Sequence, residues 1–248
     1  MALLQELNHR SWRAFRALVK SFVRSRYKGG VSLMSIDNLK RFHNDIKYDI
    51  VVSPFGYDYY NMTAKQASKN YDWFISIIPQ RMTYFRERCS HDLRITINSL
   101  NFSADSLILI WRWFINTARM EKTPKYNLRE MIKQSELFGS SYINEKQFTI
   151  SSQFIMKDIG IYIGQSFIIN YPQLHWGFYT KPKNDINAKQ PVIMGFYYKD
   201  NNTEGDVSIN PLSIAEGAAS NFFSNTQSET DVWDYYMHWV RFIPKIEK

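Results

Sequence analysis

One cysteine in 248 residues, Cys89, is the first constraint. It excludes an intramolecular disulfide framework and any structural zinc site built on thiolates. No apolar run approaches the roughly 18–20 residues that a membrane-spanning helix needs. The longest candidate, Ile108 to Ile115, is interrupted by Arg112. There is no glycine-rich phosphate loop, and no serine sits in a nucleophile-elbow motif. His9, His43, His91, His175 and His238 are scattered, and no pair has the i, i+4 spacing of a zinc-binding helix. Neither a cofactor nor a metal is therefore expected. Internal repeats and low-complexity segments are also missing.

What is abundant is aromatic surface. Phe, Tyr and Trp make up 16% of the chain and apolar residues 44%, enough for a substantial core. Tyr57, Tyr59, Tyr60, Trp73, Trp111, Trp113, Trp176, Trp233 and Trp239 could stack on nucleic-acid bases. Basic residues do not interleave with them, so core packing is expected instead, with exposed members suited to a protein interface.

The net charge of +8 is concentrated in one place. Residues 1–33 carry Arg10, Arg13, Arg16, Lys20, Arg24, Arg26 and Lys28 against Glu6, which is 7 − 1 = +6. The other 215 residues carry 24 basic and 22 acidic side chains, or +2. That balance does not call for a nucleic-acid partner. At about 100° per residue, residues 1–33 form an amphipathic helix. Leu4, Leu7, Trp12, Phe15, Leu18, Val19, Phe22 and Val23 share its apolar face, and Gly29-Gly30 stops it. Arg10, Trp12, Arg13, Arg16, Lys20 and Arg24 are its candidate contacts to a partner or an anionic membrane surface. A targeting presequence has the same composition. The alternatives are a helix docked on the body and a non-native extension, since Met34 offers another start.

Residues 34–248 read as one α+β domain, mainly helical, with a small antiparallel C-terminal sheet. Ser35 caps a short helix to about Asp45, and Tyr48 to Ser53 is β-branched enough for a strand. Thr63 starts a helix, and Pro79 suits the first turn of another that runs to about His91. Ser103 caps a helix carrying Leu107, Ile110, Trp111 and Phe114. A weaker helix covers 127–137, followed by a boundary loop at 138–145. Ser151 or Ser152 begins a long helix to Asn170. Its Gly160 and Gly164 lie four apart on one face and predict close approach by another helix or the sheet. Strand-like runs follow at 174–180 and 191–198, with a third at 206–209. Helices are expected over 213–223 and from Asp231.

Two clusters carry residues with chemistry. Cys89, His91 and Asp92 are near neighbours, but residues two apart on a helix do not face each other. Asp158 stands on the apolar long helix with Tyr162 one turn later. With Trp176 it outlines a candidate pocket, and an enzyme using Asp158 is one reading. The other is an acid bonded near the helix start or to a neighbouring helix.

Several phrases together resemble a group of small cytoplasmic bacterial proteins similar to the immunity proteins of polymorphic toxin systems. They are 103–107 leading to 110–114, then 158–164, His175 to Phe178, Gln190 to Phe196, and Asn210-Pro211. The resemblance covers about residues 35–215 and is one of structural residues. It departs at Gly164-Gln165, where the group has Gly-Glu. It implies a cytoplasmic, non-enzymatic protein that binds a toxin domain, and it brings no contact residues with it.

Overall fold

The computed structural model describes residues 47–56, 59, 61–123, 146–182, 185–199 and 204–245. The basic segment 1–33, the helices expected at 35–45 and 127–137 and the loop at 138–145 lie outside the described residues. Among the described residues the class is α+β. They form five α-helices, a three-stranded antiparallel sheet and a two-stranded one.

Helix α1 runs over Ala64–Leu93 and opens on a capping box in which Thr63 and Gln66 satisfy each other's backbone N–H groups. Pro79 lies inside it rather than at a new start. A proline removes one helix hydrogen bond and should break or kink the run. The run survives because Phe74, Ile78, Arg81, Met82, Phe85 and Cys89 form one continuous buried stripe across the proline. Among the described residues the 48–53 segment, which reads as a strand, is assigned to no sheet and lies on the helices as an irregular strap.

Helix α2 spans Ala104–Thr117, capped by Ser103. Strands β1 (Met120–Lys122) and β2 (Lys146–Phe148) pair antiparallel, a small sheet that sequence pattern did not suggest. Helix α3 follows over Ile150–Asn170, with Thr149 as its cap. Strands β3 (His175–Gly177), β4 (Val192–Lys199) and β5 (Glu204–Ile209) form the second sheet, with β4 in the middle. Helix α4 (Pro211–Ala219) is capped by the Asn210 side chain, and α5 (Asp231–Val240) closes the described body.

The core is organised around α3, of whose 21 residues 14 are buried. A helix apolar on all sides belongs in the centre of a domain. Its two faces meet different partners. Gly160, Gly164 and Phe167 look toward α4 and the sheet. Asp158 and Tyr162 look toward α1 and α2. A Cβ at Gly160 would come within 2.6 Å of the Leu212 Cα in α4. One at Gly164 would come within 2.2 Å of the Trp176 ring on β3. The glycine pair thus admits both a helix and the sheet. Phe167 extends the same face, with Phe196 of β4 edge-on at 5.3 Å and Tyr236 of α5 stacked at 4.3 Å.

Alanine at either glycine gains about 1 kcal/mol of helix propensity. Overpacking costs about 1–3 kcal/mol, and more where backbone must move. Both Gly160→Ala and Gly164→Ala are expected to lower the urea midpoint. The drop should be larger for Gly160→Ala, whose neighbour is backbone rather than a ring. A raised midpoint at either position would contradict this packing.

Candidate functional site

An acid in the middle of a helix buried all round needs an answer from inside the protein. Asp158 is 3% exposed, and Arg81 of α1, 4% exposed, supplies that answer. Arg81 Nε donates to both carboxylate oxygens, at 2.8 and 2.9 Å, and Nη2 donates to Oδ2 at 2.7 Å. The Tyr48 hydroxyl, on the strap, donates to the same Oδ2. Beyond Asp158, Arg81 reaches the strap itself. Nη1 donates to the Asp49 carboxylate at 2.8 Å and Nη2 to the Asp49 carbonyl at 2.5 Å. The Tyr84 hydroxyl accepts the Asp49 N–H at 2.7 Å. The guanidinium also lies over two rings, 5.1 Å from the Tyr48 centroid and 4.7 Å from that of Tyr84.

The electrostatics follow from burial. Burial pushes the Asp158 carboxyl up, against the downward pull of the Arg81 and Tyr48 bonds. Burial and the neighbouring Asp158 charge hold the Tyr48 phenol well above its ordinary value, so it stays a donor. Each of these groups is spent on another. Chemically the cluster can fasten three segments together, and it presents no free base.

The other candidates fall elsewhere. Tyr162 shares a helix face with Asp158, but its hydroxyl is turned to the start of α2. There it meets Ser106 Oγ at 2.8 Å and accepts the Phe102 N–H at 2.8 Å. Trp176 lies on the opposite side of α3, against Gly164 and edge-on to Phe74 at 5.1 Å. Its Nε1 finds no acceptor among the described residues, so shape and not hydrogen bonding holds the ring. The three residues therefore do not line one pocket. Arg10, Trp12, Arg13, Arg16, Lys20 and Arg24 lie outside the described residues.

Cys89 is buried, and burial, with Asp92 nearby, pushes its thiol up to about 12, so it is no nucleophile at neutral pH. Burial pushes Asp92 up, but bonds from His91, Arg88 and the Trp113 indole hold its carboxyl below the ordinary value. Among the described residues, no group of three or more His, Cys, Asp or Glu is placed to hold a metal ion. No helix among them is long and apolar enough to cross a membrane.

Sequence reasoning missed Arg81, Tyr48 and Asp49. A signal existed for the first. Arg81 interrupts the apolar stripe of α1, and Asp158 is the one acid on α3, so each was the other's available partner.

A different surface carries exposed aromatic area. Phe196 points inward at α3, so its neighbour Tyr197 points out, and it is 39% exposed. Tyr197 N donates to the Phe242 carbonyl at 2.8 Å, which fastens the turn after α5 along the edge of β4. Tyr198 returns to the inner side, 5.3 Å from the Phe242 ring. His238 and Trp239 flank Phe242 at 5.3 and 5.6 Å. Arg241 and Lys245 are exposed beside them. The result is a half-buried aromatic rim with cations at its margin.

Comparison of the chain with protein-family models, curated proteins and solved structures finds no match.

Removing one partner of a buried ion pair leaves an uncompensated charge and costs about 3–5 kcal/mol. Arg81→Met is expected to lose that much by chemical denaturation. Arg81→Met combined with Asp158→Leu should recover most of it, giving a large coupling energy in the double-mutant cycle. At the rim, burial and the Arg241 charge lower the His238 pKa. Protonation then favours the unfolded chain. Its contribution is whole above the unfolded value of about 6.5 and is lost as pH falls below it. Thermal midpoints should fall more steeply from about pH 7.5 to pH 5 in the parent than in His238→Gln. Parallel slopes would remove His238 from that account.

Proposed function

We propose that this chain is a non-enzymatic binding protein, a bacterial cytoplasmic immunity protein that neutralises a toxin domain by occluding its active site. The observation that carries the reading is the rim of β4 and α5. Tyr, Trp and Arg are enriched among the residues that dominate interface energetics, and here the exposed Tyr197 stands on the outer face of β4 while the half-buried Trp239 and the exposed Arg241 lie at the end of α5. The resemblance of 35–215 to immunity proteins points the same way. The enzyme reading around Asp158 draws no support from geometry, because both carboxylate oxygens serve Arg81 and Tyr48.

A second reading rests on the +6 charge of residues 1–33. It is recruitment to an anionic membrane or partner through Arg10, Arg13, Arg16, Lys20 and Arg24. Vesicle sedimentation separates the two. Binding to anionic vesicles that vanishes when these five residues become Gln supports recruitment, and binding that persists removes it.

The immunity reading predicts a stable complex between the full chain and the toxin domain encoded beside it, with growth restored on co-expression. Tyr197→Asp should weaken that complex at least tenfold while leaving the thermal midpoint unchanged, since the side chain is largely outside the core. Absence of a complex and of protection would overturn the proposal.

A further inference from the structure

Strand β3 covers only part of β4. His175, Trp176 and Gly177 pair with Met194, Ile193 and Val192, whereas β4 runs on to Lys199. Where β3 begins, the chain enters past Gly195, whose Cβ would come within 2.6 Å of the Gln173 carbonyl oxygen. Beyond that point, among the described residues, no strand lies on the β3 side of β4. The Tyr197 N–H points to that side, so Tyr197 and Asp206 form a non-hydrogen-bonded pair of the β4–β5 ladder. The N–H and C=O groups of Tyr197 and Lys199 therefore face away from β5. Such a row is a template for another strand.

The segment after α5 meets this row. The Phe242 carbonyl accepts the Tyr197 N–H at 2.8 Å, and the Pro244 carbonyl accepts from Gln173 Nε2 at 2.9 Å. The Phe242 ring lies 5.3 Å from Tyr198 and 5.6 Å from Trp239, so apolar contact and edge bonds hold the segment together. Pro244 has no N–H and extends no ladder outward.

We propose that residues 242–244 are an edge guard, standing where a longer β3 would run and keeping β4 from pairing with β4 of a second copy. A second copy is the occupant that the edge itself fits. Two identical edges pair antiparallel about a two-fold axis. Setting Tyr197 opposite Lys199 of the other copy satisfies every one of these groups and places no like charges opposite each other.

Ending the chain after Arg241 removes the guard, and ending it after Lys245 keeps it. The first chain should self-associate, roughly doubling the sedimentation mass of the full chain, and the second should match the full chain. Tyr197→Pro removes the N–H without touching a β5 bond, so in the shorter chain it should restore the mass of the full chain. Gln173→Ala with Phe242→Ser in the full chain loosens the same segment and is read in the same way if the shorter chain does not fold. In the unaltered full chain the Tyr197 amide should be protected from hydrogen exchange. A folded unguarded chain that keeps the mass of the full chain overturns the proposal. So does association that survives Tyr197→Pro, which would come from uncovered rings, and so does a Tyr197 amide that exchanges as an open one.

Discussion

The buried pair of Arg81 and Asp158 constrains how the first half of the domain can assemble. Taking two charges out of water costs several kcal/mol each, and their attraction offsets this only when geometry and remaining hydrogen bonds are complete. Completing them recruits Tyr48 and Asp49 from a segment with no regular structure of its own. The pair therefore acts less as a source of net stability than as a register mark. Apolar contacts between α1 and α3 would tolerate some sliding. A bidentate guanidinium–carboxylate contact tolerates almost none, and it fixes where the strap can lie.

The opposite face of α3 is governed by shape. Gly160 admits the start of α4 and Gly164 admits the Trp176 ring, so the helix and the sheet both approach the α3 axis. Phe167 then takes up the space further along, between Phe196 and Tyr236. One helix thus joins two halves of the domain by two kinds of specificity, charge toward α1 and close contact toward the sheet. The β4–α5 rim is a product of the second. Phe196 anchored inward forces Tyr197 outward, and the edge bond from Tyr197 N to Phe242 sets the aromatic turn beside it.

Much of this was legible in the residues. The apolar helix from about 151 to 170, its glycine spacing, the antiparallel strands after Pro172 and the Ser103 cap follow from local pattern and hold in the structure. The misses share a cause. Pro79 has a strong local meaning, but the continuous buried stripe from Phe74 to Cys89 outweighs it. The β-branched run at 50–52 reads as a strand, yet its neighbours Tyr48 and Asp49 find better partners in side chains of α1 and α3 than in a ladder. The Asp158 site was legible as an anomaly only. Whether such an acid serves chemistry or structure depends on what faces it across 77 residues of chain, and spacing within one helix carries no information on that.

In the proposed binding role, the distribution of charge bears on how a partner is recognised. Outside residues 1–33 the chain is close to neutral, and the most deeply buried charges of the body cancel within one cluster. A nearly neutral surface exerts little long-range steering, so selection among partners by the body has to arise at contact. Contact selectivity comes from rigid aromatic area with a few well-placed polar groups. The rim supplies rings immobilised by their neighbours, Trp239 between Phe196 and Phe242 and Tyr198 against Phe242, so little side-chain entropy remains to be lost on binding. The excess charge that long-range attraction requires lies in residues 1–33. In the proposed role the two capacities, attraction at a distance and discrimination at contact, are therefore carried by separate parts of one chain.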